Sequence, residues 1–407
     1  MRCLCCGKEF DERSTQEEIA MEWHHACLKK FFGTKTMPDV DVSEQVLEQL
    51  AIESTNKGYT VPGVQKKLSL HLSEEDKERP RLTLVNYPTG YILKPQTEEY
   101  RALPEAEYLV MSMARATKIK TVPFALVRIP SGDNSFAYIT KRIDRVKKAK
   151  KVQMLAMEDF CQLENRLTSD KYKGSYERCA KVVMNYSQNA GLDVADLFLR
   201  IVFSFAIGNS DMHLKNFSLI ETAEGNSVYQ LSDAYDMLPV NVIMPQDKEQ
   251  LALTLNGKKQ NIRRKDFLIF AEACGLNSKS AEKMIGKIVS LKDTYIGMCR
   301  ESYLPEDMKE SLASLICERM AVLTLYSCGS DQNDSSRCFI CAFHLPRSRI
   351  DLAEYIHAEG FIQGGLLPCG AGGGIEGYGD GVLVYDGLLK GGAALGQRDL
   401  IGGYGVL

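Results

Sequence analysis

Residues 197–207 are apolar apart from Arg200 and Ser204, and the chain then turns polar at once: Gly208-Asn209-Ser210-Asp211-Met212-His213-Leu214-Lys215-Asn216. A helix with no hydrophilic face has to be enclosed by other elements, so this run predicts the buried spine of a helical domain. It is too short to span a bilayer. Asp193, with Asp196 three residues on, reads as its N-cap. Asp211, His213, Lys215 and Asn216 then crowd into a few positions, more polar groups than the end of a buried helix needs for capping.

The two halves of the chain differ in period. Residues 67–72, 81–85 and 90–94 alternate as strands do, and 122–129 with 136–143 read as a further pair joined by the turn at 130–134. Pro104 opens a helix whose first turn carries Glu105 and Glu107. Beyond residue 151 the pattern is mostly helical, with helices expected at 264–274, 280–289 and 305–326. This predicts an α+β chain of two lobes: a small sheet-rich lobe at 51–145, a helical lobe at 146–327, and a cleft between them.

Several residues in that frame have a chemical reading. Lys94 ends the apolar strand Tyr91-Ile92-Leu93, and an inward-pointing lysine needs an anion, for which Glu107 on the next helix is the natural partner. A salt bridge without nucleotide is the plainer alternative. Asp211 and Asn216 have the separation at which a carboxylate orients an acceptor hydroxyl as general base and a carboxamide holds a metal ion. Asp236 follows a short strand at 228–231 as a second metal ligand should, with Asp233 its local competitor. The loop Thr60-Val61-Pro62-Gly63-Val64-Gln65-Lys66-Lys67 could bring backbone amides and lysines to phosphates, although alone it reads as a β-turn. The basic stretch at 141–151 lacks interleaved aromatic residues and reads as a solvated connector, not a nucleic-acid surface.

Net charge is -3 with a pI near 6.2, so the whole chain has no bias toward polyanions. Thirteen cysteines are an odd number, scattered through apolar segments. That usage suits a reducing cytoplasm better than a disulfide framework. Cys3-x2-Cys6 and His24-x2-Cys27, within a short segment at 1–50, have the spacing of a structural Zn²⁺ site, with Cys5 and His25 as neighbouring substitutes. Cys338, Cys341 and His344 are a weaker echo of the same spacing. More than half of the 32 glycines fall after Glu359. The segment 328–407 has neither the charge of a solvated tail nor the period of a domain, so no function follows from it.

Taken in order, Val61-Pro62-Gly63-Val64-Gln65-Lys66-Lys67, Tyr91-Ile92-Leu93-Lys94-Pro95, Glu158-Asp159-Phe160-Cys161-Gln162, Lys171-Tyr172-Lys173-Gly174-Ser175-Tyr176, the stretch 208–216 and Tyr235-Asp236 resemble the HipA-type toxin kinases. The resemblance covers about 55–326 and implies a two-lobed protein kinase-like fold. It implies an ATP-dependent serine/threonine kinase, the toxin of a type II toxin–antitoxin system. Lys94 would meet the nucleotide phosphates beside Gly63, Val64 and Gln65; Asp211 would be the base, with His213 beside it; Asn216 and Asp236 would hold Mg²⁺. Backbone groups from Tyr138 through Lys141 to Ile143 would form the adenine hinge. Thr60 matches the position of an autophosphorylated serine in that family, retaining a hydroxyl that could carry the modification.

The implied partners are a helix-turn-helix antitoxin, a separate small protein supplying an N-terminal subdomain, and a protein substrate such as an aminoacyl-tRNA synthetase. DNA would be met only through the antitoxin, and no membrane is involved. Two rivals remain at this stage. One is a kinase of the same fold acting on a small molecule; the other is a catalytically silent module that binds an antitoxin in transcriptional autoregulation.

Overall fold

The alternation in the first half builds one sheet, and its parity decides what each face does. In the computed structural model, which describes residues 1–40, 67–73, 80–83, 90–129, 135–148 and 151–324, six strands lie in the order β1-β3-β2-β4-β6-β5. They are β1 (Asp39–Val40), β2 (Leu68–Ser73), β3 (Arg81–Thr83), β4 (Tyr91–Pro95), β5 (Phe124–Arg128) and β6 (Phe136–Lys141). All pairings are antiparallel except β1 with β3. Register places Ser69 opposite Ile92, Ile92 opposite Thr140 and Lys94 opposite Tyr138, so these residues share a face. Leu70, Tyr91, Leu93 and Ile139 point the other way.

That second face is covered by the N-terminal segment. Two short helices, α1 (Gln16–Met21) and α2 (His25–Phe31), carry Trp23, Phe31 and Phe32 into the core. Phe31 and Phe32 pack on Tyr91, and the Tyr91 hydroxyl donates to the Phe31 carbonyl. Each such buried aromatic stabilises by about 1.5–3 kcal/mol. α1 is fixed by a capping box in which Thr15 and Glu18 exchange side-chain and backbone bonds.

Helix α3 (Leu103–Ala116) packs along β5 and β6. Pro104 sits in its first turn, as the sequence predicts, but the cap comes from outside the helix: Gln96 Oε1 accepts the Leu103 N–H at 3.1 Å. The basic connector expected at 141–151 instead contains a hairpin of β7 (Arg145–Lys148) and β8 (Lys151–Met154), with Arg145 opposite Met154. Cross-strand pairing, not a run of like charge, sets its backbone, and its side chains remain largely exposed.

The helical half begins after β9 (Met157–Asp159). It runs through α4 (Phe160–Leu163), α5 (Tyr176–Tyr186), the spine α6 (Ala190–Ala206), and the strands β10 (Ser218–Glu221) and β11 (Tyr229–Leu231). It continues through α7 (Val240–Ile243), α8 (Arg264–Ala273), α9 (Ser278–Ser290), α10 (Lys292–Arg300) and α11 (Glu306–Thr324). α6 is buried almost without a break from Leu197. Its one buried cation, Arg200, is paired through Nη2 with Asp196 at 2.6 Å and the Ser232 carbonyl at 2.7 Å. Asp193 is not the N-cap: the helix starts at Ala190, and the Asp193 carboxylate accepts from the Ser187 hydroxyl and the Leu231 N–H. A tertiary contact with β11 competes for that carboxylate and wins.

Among the described residues, no helix is long and apolar enough to cross a membrane. The loop residues Thr60, Gly63, Val64 and Gln65, the turn at 130–134, the Cys338 echo and the segment 328–407 lie outside the described residues.

Candidate active site

Between the sheet and the helical half lies a cavity of about 760 Å³. Its upper wall is the shared strand face: Lys67, Ser69, Ile92, Lys94, Tyr138 and Thr140. Its lower wall holds Asp211, His213, Asn216 and Asp236.

Lys94 is the centre of the charge arrangement. Its ammonium lies 2.5 Å from Glu107 Oε1 and 2.7 Å from Asp236 Oδ1, and it is almost fully buried. Lys67 reaches the other oxygen of Asp236 at 2.8 Å. Burial works against the Asp236 charge, yet the two ammonium groups overcome it and hold the carboxyl far below the usual carboxylate range. Burial also works against charge on Lys94, but Asp236 and Glu107 reverse this and raise its pKa. Glu107 has no solvent exposure, and burial pushes its carboxyl up to about 7 despite the pull of Lys94.

Two backbone features deliver the lower wall. Just past the end of α6 stands Gly208, whose φ is +71°, and a β-carbon there would stand 2.8 Å from Leu315 Cδ2. The left-handed conformation favours glycine, and any β-carbon would also have to push the Leu315 side chain of α11 aside. From this turn the loop bends back on itself: Asn209 Oδ1 accepts the Asp211 N–H, and Asn216 Nδ2 donates to the Asp211 carbonyl at 2.8 Å. The residues expected from the sequence to act together, Asp211 and Asn216, are thus tied directly. Asp236 is held in the left-handed region at φ +58°. The preceding Ala234 exchanges backbone bonds with Lys120 and Val122, which anchors this carboxylate to the connection between α3 and β5.

Asp211 is raised by burial, and the Tyr172 hydroxyl opposes this by donating to Oδ1 at 2.5 Å. His213 lies 3.9 Å from the same oxygen, and burial followed by the charge of Lys171 lowers its pKa to about 4, so the imidazole is neutral near pH 7. Lys215 is drawn away to Asp159 at 2.6 Å. The expected hinge is partly spent. Tyr138 through Lys141 lie within the β4–β6 ladder, the Lys141 N–H goes to Pro123, and its ammonium turns back toward the Phe31 carbonyl. The Tyr138 ring contributes otherwise, lying 5.3 Å from the Lys94 ammonium. Ile143 lines the cavity just beyond the strand.

Sequence alone assigns no role to Tyr172 or Lys171 and does not pair Lys67 with Asp236. Only the Lys171-Tyr172 motif hinted at them, because the contacts join residues far apart in the chain. Three buried polar atoms here have no hydrogen-bond partner among the described residues: Glu107 Oε2, Tyr138 Oη and His213 Nδ1. With two lysines on the upper wall and carboxylate and carboxamide oxygens on the lower, this donor set fits a polyphosphate with a hard divalent cation. Away from the cavity, one donor atom from each of Cys3, Cys6, His24 and Cys27 lies within 4.8 Å of the others.

Comparisons place these features among known proteins. The chain is 26% identical to a Haemophilus influenzae protein named "Putative kinase" over 325 residues, 74% of this chain and 91% of that protein. It is 30% identical to "Putative kinase Y4dM" of Sinorhizobium fredii over 247 residues, 57% of this chain and 58% of the relative. Among solved structures, it superposes on one from the toxin–antitoxin system of Shewanella oneidensis MR-1, determined as a HipA, HipB and operator DNA complex. The TM-score is 0.54 at 19% identity, covering 68% of this chain and 70% of that one, a likeness of fold. The family model described as the HipA-like C-terminal domain matches residues 59–294. That match spans more than half of the 407 residues, and a chain with a kinase-like fold closed around Lys94 and Asp211 thus belongs to the HipA-like C-terminal domain family.

Proposed function

We propose that this protein is an ATP-dependent protein serine/threonine kinase that acts as the toxin of a type II toxin–antitoxin system. The observation that carries the reading is the ion chain Lys67–Asp236–Lys94–Glu107, which joins the two walls of the cavity that Asp211 and Asn216 also line. Lys94, positioned by Glu107, would meet the phosphates of ATP; the Asn216 and Asp236 oxygens would hold Mg²⁺, which neutralises charge on the transferring phosphoryl group. Asp211 would align the acceptor hydroxyl and take its proton at a carboxylate oxygen. Neutral His213 would add no further positive charge beside that carboxylate, which already feels Lys171 and Lys67.

Complete burial of Glu107 supports nucleotide binding over a plain surface salt bridge. Such a buried pair adds little to stability, so a positioning role for it is the better account. A helix-turn-helix antitoxin would be the regulatory partner and would account for any contact with DNA. A separate small protein would supply an N-terminal subdomain, and the acceptor would be a translation component in the cytoplasm. Thr60 is the proposed site of self-modification.

Intact mass of the full chain after incubation with Mg-ATP tests this reading, with Asp211→Asn alongside. Phosphate on the wild type alone supports it. No incorporation, together with no ATP-induced rise in melting temperature, would overturn it in favour of a silent antitoxin-binding module. Turnover with metabolites but with no protein acceptor would shift the reading to a small-molecule kinase.

A further inference from the structure

We infer that Cys3, Cys6, His24 and Cys27 bind one Zn²⁺, and that this ion braces the edge of the sheet and its junction with the helical half. Zinc held tetrahedrally at about 2.3 Å by thiolates separates its ligand atoms by about 3.8 Å. The four donors here, already within 4.8 Å of one another, need only small side-chain rotations to reach that arrangement. Cys6 Sγ stands 3.4 Å from His24 Nδ1, and the His24 backbone N–H points at Cys3 Sγ at 3.4 Å. An N–H directed at a ligating sulfur is the kind of outer contact that orients metal thiolates. His25, the sequence's alternative, turns instead toward Glu17 at 3.6 Å. Cys5 lies outside the four-donor set.

What the ion would hold together is specific. Cys3 and Cys6 sit on a tight turn closed by the Cys3 N–H to Lys8 and the Gly7 N–H to Cys3. From this turn Leu4 accepts the Leu126 N–H at 2.9 Å, covering the outer edge of β5, which pairs on its other side with β6. Arg2 extends to the helical half, its guanidinium 2.8 Å from Glu301 and its carbonyl accepting from the Tyr303 hydroxyl. His24 and Cys27 sit at the start of α2, whose Phe31 packs on Tyr91 of β4. Among the described residues the cysteines are free, so four metal bonds would be the strong link between the turn at 3–6 and the start of α2, and through the contacts of these two segments would steady β5, β4 and residues 301–303. The brace lies away from the nucleotide cavity and does not depend on the kinase reading.

The test uses the full chain, purified without added metal. Elemental analysis should find one zinc per chain, and cobalt(II) exchange should give the visible bands of a tetrahedral thiolate site. Cys27→Ala should lose the ion and Cys5→Ser should keep it. Chelation of the wild type, which avoids any folding failure of a variant, should raise hydrogen exchange at the Leu126 amide by at least tenfold. Wild type that neither carries nor takes up metal would overturn the site, as would retention of metal by Cys27→Ala. Unchanged exchange at Leu126 after zinc removal would overturn the bracing role.

Discussion

Lys94→Met isolates the energetics of the buried charge chain. In the wild type the Glu107 carboxyl, with no solvent exposure, already sits at about 7 with Lys94 pulling it down. Without that ammonium, burial and the nearby negative charge of Asp236 act unopposed by Lys94, and the carboxyl must lie higher still. A carboxyl raised in the folded state binds more protons there than in the unfolded chain. Stability therefore falls as pH rises from the unfolded value of 4.5 toward the folded one. At about 1.4 kcal/mol per pH unit, the interval from 4.5 to about 7 alone corresponds to a loss of about 3 kcal/mol. The reference protein is Lys94→Met/Glu107→Gln, which keeps the shape and cannot ionise. Urea unfolding of the two should give nearly equal stability at about pH 4, below the unfolded value, with the single variant weaker by roughly 3 kcal/mol or more at about pH 8. A difference that stays flat across this range would show that Glu107 is not the buried carboxyl described here, and the reasoning about Lys94 would fail with it.

Other outcomes follow from the same geometry. His213, lowered to about 4 by burial, binds no proton in the folded state between that value and 6.5, so the stability of wild type relative to His213→Gln should fall by about 3 kcal/mol as pH drops through the window, while the Glu107 contribution, common to both proteins, cancels. A difference that does not change with pH, or an imidazole titrating near 6.5 by NMR, would contradict it. Gly208→Ala should cost at least about 2 kcal/mol through its left-handed backbone and the clash with Leu315, read as a lower denaturation midpoint, and Leu315→Ala should relieve only part of it. Tyr172→Phe removes the hydroxyl that counters the burial of Asp211, so the acidic limb of the phosphotransfer pH profile should move to higher pH. An unmoved limb would mean that Tyr172 does not tune the base.

What could be read from the chain alone follows the range of each interaction. The Lys94–Glu107 pair was legible because a strand lysine and a glutamate on the next helix lie close in sequence, although the helix starts at Leu103 and leaves only Glu105 in its first turn; Asp211 with Asn216 was legible because one loop holds both. The spine at 197–207 announced itself by composition, and its burial follows from having nowhere polar to face. Lys67 and Asp236, in contrast, meet across 169 positions, and nothing local in either residue specifies the other. Tyr172 reaches Asp211 by the same kind of long-range closure. Asp193 looked like a cap because a carboxylate before an apolar run usually is one; its contact with β11 was invisible. The hairpin at β7 and β8 was hidden by a run of basic residues whose charge says little about backbone pairing.

Strand β4 has a consequence for how this protein can change. Lys94 and Ile92 look into the cavity, while Leu93 and Tyr91 look toward Phe31 and Phe32. One alternating strand therefore serves two surfaces in a single reading frame. Inserting or deleting one residue in it would not merely displace the lysine: it would exchange the ammonium with Leu93, putting a charge against the aromatic layer and an isobutyl group among the carboxylates. Substitution can tune either surface separately, but a shift in length damages both at once, which makes β4 a poor place for this chain to gain or lose a residue.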